Sequence, residues 1–252
     1  MTHMPTLLVV NSSAQLEERS LTRKLTALFS ETFCERASDT RVIDRDLGRF
    51  PPDFVDHRFI EAAFTEPGQR DSRMTDALAQ SDRLIDELEC ADIVVIGAPM
   101  YNYGMPAALK AWFDQVARIG RTFSFDLSRG DFPIEPLLSG KHLVVLSARG
   151  EFGFAPGGVR EEQNALDPGI AACAHYLGAS KASIDTIVVE YQEFKDDRHR
   201  ASWEQASKAT IELATRLASD FGSLQSGTTR SDVVEDRDGG RQDRKPVAGA
   251  AA

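Results

Sequence analysis

The stretch from Gly97 to Pro106, GAPMYNYGMP, sets two tyrosine rings and an amide beside a Gly-x-Pro turn. That composition suits a wall against a flat ligand, although Tyr101 and Tyr103 read equally well as plain surface aromatics. A second candidate is Asn11 to Leu25, NSSAQLEERSLTRKL, where the hydroxyls of Ser20 and Thr22 open a helical pattern. Ser20 is a good N-cap. The free N–H groups of the first turn, aided by the helix dipole, form a ready phosphate site, or simply an ordinary capped helix. A third is Ser147 to Gly158, SARGEFGFAPGG, whose glycines either admit a ligand close to the backbone or make a solvated loop. These are binding groups rather than nucleophiles. No Gly-x-Ser-x-Gly elbow, Gly-x-Gly-x-x-Gly after the first strand or His-Glu-x-x-His occurs. Gly140-Lys141 lacks the upstream glycine of a phosphate loop, Glu135 standing there, and His57, His142 and His175 are scattered.

Five runs read as strands: Thr6 to Val10, Arg41 to Leu47, Asp92 to Ala98, Lys141 to Ser147 and Ser183 to Glu190. Several are continuously apolar, as strands buried on both faces of a parallel sheet are. Helical patterns alternate with them over Ser20–Arg36, Thr75–Glu89, Pro106–Arg118, Asp167–Leu177 and Ser202–Phe221. Alternating strand and helix implies right-handed βαβ units, hence an α/β doubly wound five-stranded parallel sheet, with the flavodoxin-like order 2-1-3-4-5 expected. In such a sheet ligands bind outside the carboxyl ends of the strands, where the strand order reverses. The three loops meet there. A phosphate seat beside two loops suited to a planar ring describes a flavin mononucleotide (FMN) pocket.

Two segments stand outside this count. Residues 50–69, FPPDFVDHRFIEAAFTEPGQ, form a long insertion whose aromatics favour a lid, and residues 225–252 hold so little to bury that a disordered tail is expected. The domain reading is therefore 1–224 plus tail. A formal net charge of −10 argues against nucleic acid or an anionic membrane as the main partner. Apolar runs are too short to span a bilayer and the N-terminus lacks a signal pattern, so a cytoplasmic protein is expected. Cys34, Cys90 and Cys173 are far apart, without metal or redox spacing, and no metal is expected.

The three loops together resemble the FMN-dependent NADH azoreductases, also described as NADH:quinone oxidoreductases, of the flavodoxin-like superfamily. The resemblance runs from about Pro5 to Phe221, and its most specific piece is APMYNYGMPAALKAWFDQVARIGRTFSF. LLSGKHLVVLSARG resembles the family's fourth strand and Ser-Arg-Gly turn. The resemblance implies an FMN phosphate on Ser13, Ser20 and Thr22 with the backbone of Leu21 between them. It also implies that Met100, Tyr101, Asn102 and Tyr103 border the isoalloxazine ring, Asn102 facing N5. Ala148, Arg149, Gly150 and Glu151 are then expected along the pyrimidine edge. Thr22 and Ala148 replace commoner serines, and Glu151 stands where relatives often carry glycine, so a carboxylate is expected to oppose the charge of reduced flavin. The implied enzyme takes hydride from NADH and passes two electrons to a quinone or azo compound by ping-pong transfer. It needs no catalytic side chain and works as a homodimer. The alternative is a flavodoxin-like electron-transfer module without its own turnover.

Overall fold

A computed structural model describes residues 4–227, and its side chains to Phe221. Strand β1 (Thr6–Asn11) leads into helix α1 (Leu21–Arg36), and β2 (Arg41–Asp46) follows. The segment read as an insertion carries helix α2 (His57–Phe64) and a single 3-10 turn before α3 (Ser72–Cys90). Then come β3 (Ile93–Pro99), α4 (Ala107–Val116), a small antiparallel pair of β4 (Phe123–Phe125) and β5 (Ile134–Pro136), and β6 (Lys141–Ala148). Helix α5 (Asp167–Cys173), β7 (Ala179–Val189) and α6 (Asp197–Gly227) complete the described chain.

The main sheet is five-stranded, parallel, and ordered β2-β1-β3-β6-β7. With the β4–β5 pair set aside, this is the expected 2-1-3-4-5 order. Its three inner strands are buried along nearly their whole length, because helices cover both faces. One face packs Leu8, Val10, Val94, Ile96 and Val145 against Trp112, Phe113 and Ile170. The other packs Leu7, Val9, Val95 and Leu146 against Phe29, Phe33, Ala214 and Leu217. At the outer edges the pattern changes. β2 reads RVIDRD and is half-exposed, while β7 carries Lys181 and Asp185 and slips register against β6 between Lys141 and Leu143.

Helix α6 begins at Asp197 and runs to Gly227, five residues earlier than the pattern predicts and three residues into the segment read as a tail. The remainder of that segment, 228–252, lies outside the described residues. Helix α2 has a local cause. Asp56 caps it by accepting from Phe59 N at 2.9 Å, and Phe59, Ala62 and Ala63 form a stripe that packs on Leu78 of α3.

Candidate active site

The site is built on a join between β1, β2 and β3. Ser12 donates through both N–H (3.1 Å) and Oγ (2.7 Å) to the carbonyl of Gly97, fixing the end of β1 against β3. A Cβ on Gly97 would stand 2.9 Å from Thr26 of α1, so glycine there lets the helix approach the sheet. The chain after Ser12 is held by Arg23, whose guanidinium donates to the carbonyls of Ser13 (2.8 Å) and Gln15 (3.0 Å). The same group makes a bidentate pair with Asp46 at the end of β2, at 2.8 and 2.7 Å. Gly48 completes this buttress, because a Cβ there would sit 1.9 Å from the Ser13 carbonyl oxygen.

This scaffold presents the hydroxyls that the sequence singled out. Ser20 is the N-cap of α1; its Oγ accepts from Arg23 N at 3.3 Å and lies 3.2 Å from Thr22 Oγ1. The Ser13 hydroxyl accepts from Gln15 N at 3.2 Å, which leaves its own proton to donate. All three serine and threonine side chains are buried. The first-turn N–H groups of Leu21 and Thr22 have no intrahelical acceptor, and no acidic residue stands in that turn. The donor set therefore suits a phosphate.

One cavity of about 230 Å³ collects Ser13, Ser20, Leu21 and Thr22 from the first loop with Met100 and Tyr101 from the second and Ala148 and Gly150 from the third. Eight of the residues expected at the cofactor thus share one site. The Tyr101 hydroxyl accepts from Ala14 N at 3.2 Å and ties the first two loops together across it. Gln15, Arg19, Pro99, Gln192 and Glu193 also line the cavity, and sequence reasoning missed them. Gln192 and Glu193 arrive because the chain leaving β7 zips onto the third loop. Gln192 N donates to Arg149 O at 3.2 Å and Glu193 N to Gly150 O at 3.1 Å. That loop's position beside β6 is a consequence of strand order, which was the available signal.

The other four expected residues are not in the lining of this cavity. Asn102 and Tyr103 lie outside the cavity lining, at the tip of a two-residue turn closed by mutual Tyr101–Gly104 hydrogen bonds of 3.0 Å. Both have positive φ, 48° and 69°. Asparagine tolerates this conformation, whereas tyrosine is strained in it. Ala165 N donates to Tyr103 O at 2.9 Å and the Tyr103 ring rests near Phe154, which holds the turn. The Arg149 side chain turns into the protein, almost fully buried and paired with Asp167, so only its backbone faces the loop. Glu151 does not line the cavity; its carboxylate pairs with Arg160 at 2.9 Å. The insertion at 50–69 contributes no residue to this cavity, and Phe50, Phe54 and Phe64 are more than two-thirds exposed, at 72%, 76% and 72%.

Residues 5–213 match the Flavodoxin_2 family, described by its flavodoxin-like fold. The chain belongs to that family. A protein of Colwellia psychrerythraea named FMN-dependent NADH:quinone oxidoreductase 2 is 47% identical over 85% of this chain and 100% of its own length. One of Pseudomonas aeruginosa named FMN-dependent NAD(P)H:quinone oxidoreductase 1 is 36% identical over 84% of this chain and 99% of its own. Among solved structures, an azoreductase from Bacillus anthracis superposes with a TM-score of 0.75 at 23% identity, covering 84% of this chain and 100% of that one. At that identity the likeness speaks for the flavodoxin-like fold. No helix of the described residues is long and apolar enough to cross a membrane.

Proposed function

We propose that this protein is an FMN-dependent NADH:quinone oxidoreductase that also accepts aromatic azo compounds. The observation that carries the reading is the single cavity, at the carboxyl end of β1 and β3, that joins the Ser13–Ser20–Thr22 hydroxyls to the Met100–Tyr101 wall and the Ala148–Gly150 turn. The names of relatives covered over nearly their full length support the same activity.

When bound, FMN supplies the hydride chemistry between a nicotinamide and the acceptor. The protein's own part is binding and orientation. Ser13, Ser20, Thr22 and the first-turn N–H groups of α1 would hold the phosphate. Met100 and Tyr101 would give one wall for the ring, fixed by the hydroxyl contact to Ala14. The hydrogen bonds that hold the turn at Asn102 and Tyr103 against its strain keep that wall in one conformation, which lowers the reorganisation needed when nicotinamide or quinone stacks. Ala148 and Gly150, clamped from behind by the loop after β7, would supply backbone to the polar edge of the ring. No proton-transferring side chain is assigned.

We also place the enzyme in the cytoplasm as a homodimer. The exposed rings of Phe50, Phe54 and Phe64, with Phe125, Leu127 and Phe132 around the β4–β5 pair, offer apolar surface to a second copy. In that arrangement the 50–69 segment serves as a lid toward the partner rather than over its own cavity.

The purified chain is expected to be yellow and to release FMN on denaturation. NADH alone should bleach the flavin anaerobically, and a quinone should restore the colour. Bound FMN that NADH does not bleach supports the electron-transfer module instead, and a colourless protein that takes up no FMN overturns both. Light scattering should give twice the chain mass.

A further inference from the structure

Two opposite charges line the candidate cofactor cavity. Arg19 stands one residue before the N-cap of α1, and Glu193 lies across Gly150 on the loop after β7. Both side chains are exposed at the cavity edge, and neither side chain makes a hydrogen bond or ion pair among the described residues. They are the only charged residues in the cavity lining among the described residues. The neighbouring charges are committed elsewhere: Arg23 to Asp46, Arg49 to Glu17 and Asp46, and Glu151 to Arg160. An unpaired guanidinium beside an anion seat keeps its donors available. An unpaired carboxylate on the same cavity repels whatever anion arrives.

We propose that Arg19 and Glu193 form an opposed pair that sets how strongly the site recognises the phosphate charge of its flavin. Arg19 adds affinity for the phosphorylated cofactor, and Glu193 subtracts from it. The assignment rests on the FMN reading above. It goes further in making selection of FMN over the unphosphorylated flavin depend on two side chains besides the Ser20–Thr22 seat. Glu193 is placed against the third loop by its backbone, Glu193 N donating to Gly150 O at 3.1 Å, and its side chain passes beside the Gly150 Cα. Arg19 is placed by the turn before α1, in which Arg19 N donates to Leu16 O at 3.1 Å and Ser20 N to the same carbonyl at 2.9 Å.

The test uses the full chain loaded with FMN or with riboflavin, and follows flavin release on dilution by fluorescence. Because Arg19 is exposed, its contribution is screened, and R19Q should weaken FMN about threefold to tenfold. E193Q should tighten FMN by about twofold to fivefold. Neither should change riboflavin affinity beyond about twofold. R19K should recover part of the loss, since it restores charge without the planar fork. The salt dependence of FMN release should be shallower in R19Q than in wild type. If wild type prefers FMN to riboflavin but either R19Q or E193Q keeps the wild-type ratio, the opposed-pair assignment is overturned and the phosphate seat stands. If wild type shows no preference for FMN, the seat and the pair fail together.

Discussion

The substitution Asp46→Asn tests whether the phosphate loop is held from β2. In the native protein the Arg23 guanidinium is nearly buried, with 6% of its side chain exposed against 11% for Asp46, and the two meet through bonds of 2.8 and 2.7 Å. Removing one member of such a pair leaves a buried charge without compensation, which costs about 3–5 kcal/mol. The lower end applies here. The amide that replaces the carboxylate keeps its volume and an oxygen for Arg49 N, and Arg23 retains the carbonyls of Ser13 and Gln15. A loss of about 3 kcal/mol is therefore expected at pH 7, read from urea unfolding at fixed excess FMN so that ligand linkage is constant. Acid should erase the difference. Burial pushes the Asp46 carboxyl up, but the bonds from Arg23 and Arg49 N and the two arginine charges outweigh it, so its folded pKa lies below the ordinary carboxylate value. A depressed carboxylate stabilises the fold above its unfolded pKa, about 4, and that stabilisation fades as pH falls through the folded value. Wild type and D46N should thus begin to converge at about pH 4 and meet only below the folded pKa of Asp46. A gap under about 1 kcal/mol at pH 7, less than even an ordinary buried interaction, would refute the buttress.

Other substitutions probe the remaining parts of the site. Changing both Ser20 and Thr22 to alanine should lower FMN affinity by about two orders of magnitude while sparing riboflavin, two charge-assisted bonds being lost. Fluorescence titration with both flavins checks this, and an unchanged FMN preference would place the phosphate elsewhere. Gly48→Ala should destabilise by more than about 2 kcal/mol in urea, because its Cβ would fall 1.9 Å from the Ser13 carbonyl. Asn102→Ala should cost about 1 kcal/mol through its positive φ and slow NADH-driven flavin reduction, whereas Asn102→Gly should be nearly neutral in stability. Equal stability of the two variants would mean the turn is not strained. Both should leave FMN affinity within about threefold of wild type, since the residue lies outside the cavity.

The sheet and its order were legible because β1, β3 and β6 are uninterrupted apolar runs whose spacing admits helices between them. Helix α2 was not, since only Phe59, Ala62 and Ala63 mark its buried stripe and they sit among exposed phenylalanines. Ser20 was readable as the cap of α1 from capping preference, whereas Ser13 entered only through the family resemblance. Motif matching locates the backbone turn at Arg149 but not its side chain, which follows a partner eighteen residues away, Asp167. The Arg23–Asp46 clamp links residues twenty-three apart on different elements, a pairing that composition and periodicity cannot signal. Gln192 and Glu193 reach the cavity only through hydrogen bonds between loops.

The outer strands carry a consequence for assembly. β2 ends the sheet with its arginines and aspartates, and β7 ends it with a register slip and with Asp185 tied to His142 and Arg216. Each edge strand carries charged side chains, which disfavour pairing with an incoming strand. Any association between copies of this chain is then expected through helices and loops. Contacts of that kind can close on themselves, whereas strand pairing at an open edge can propagate.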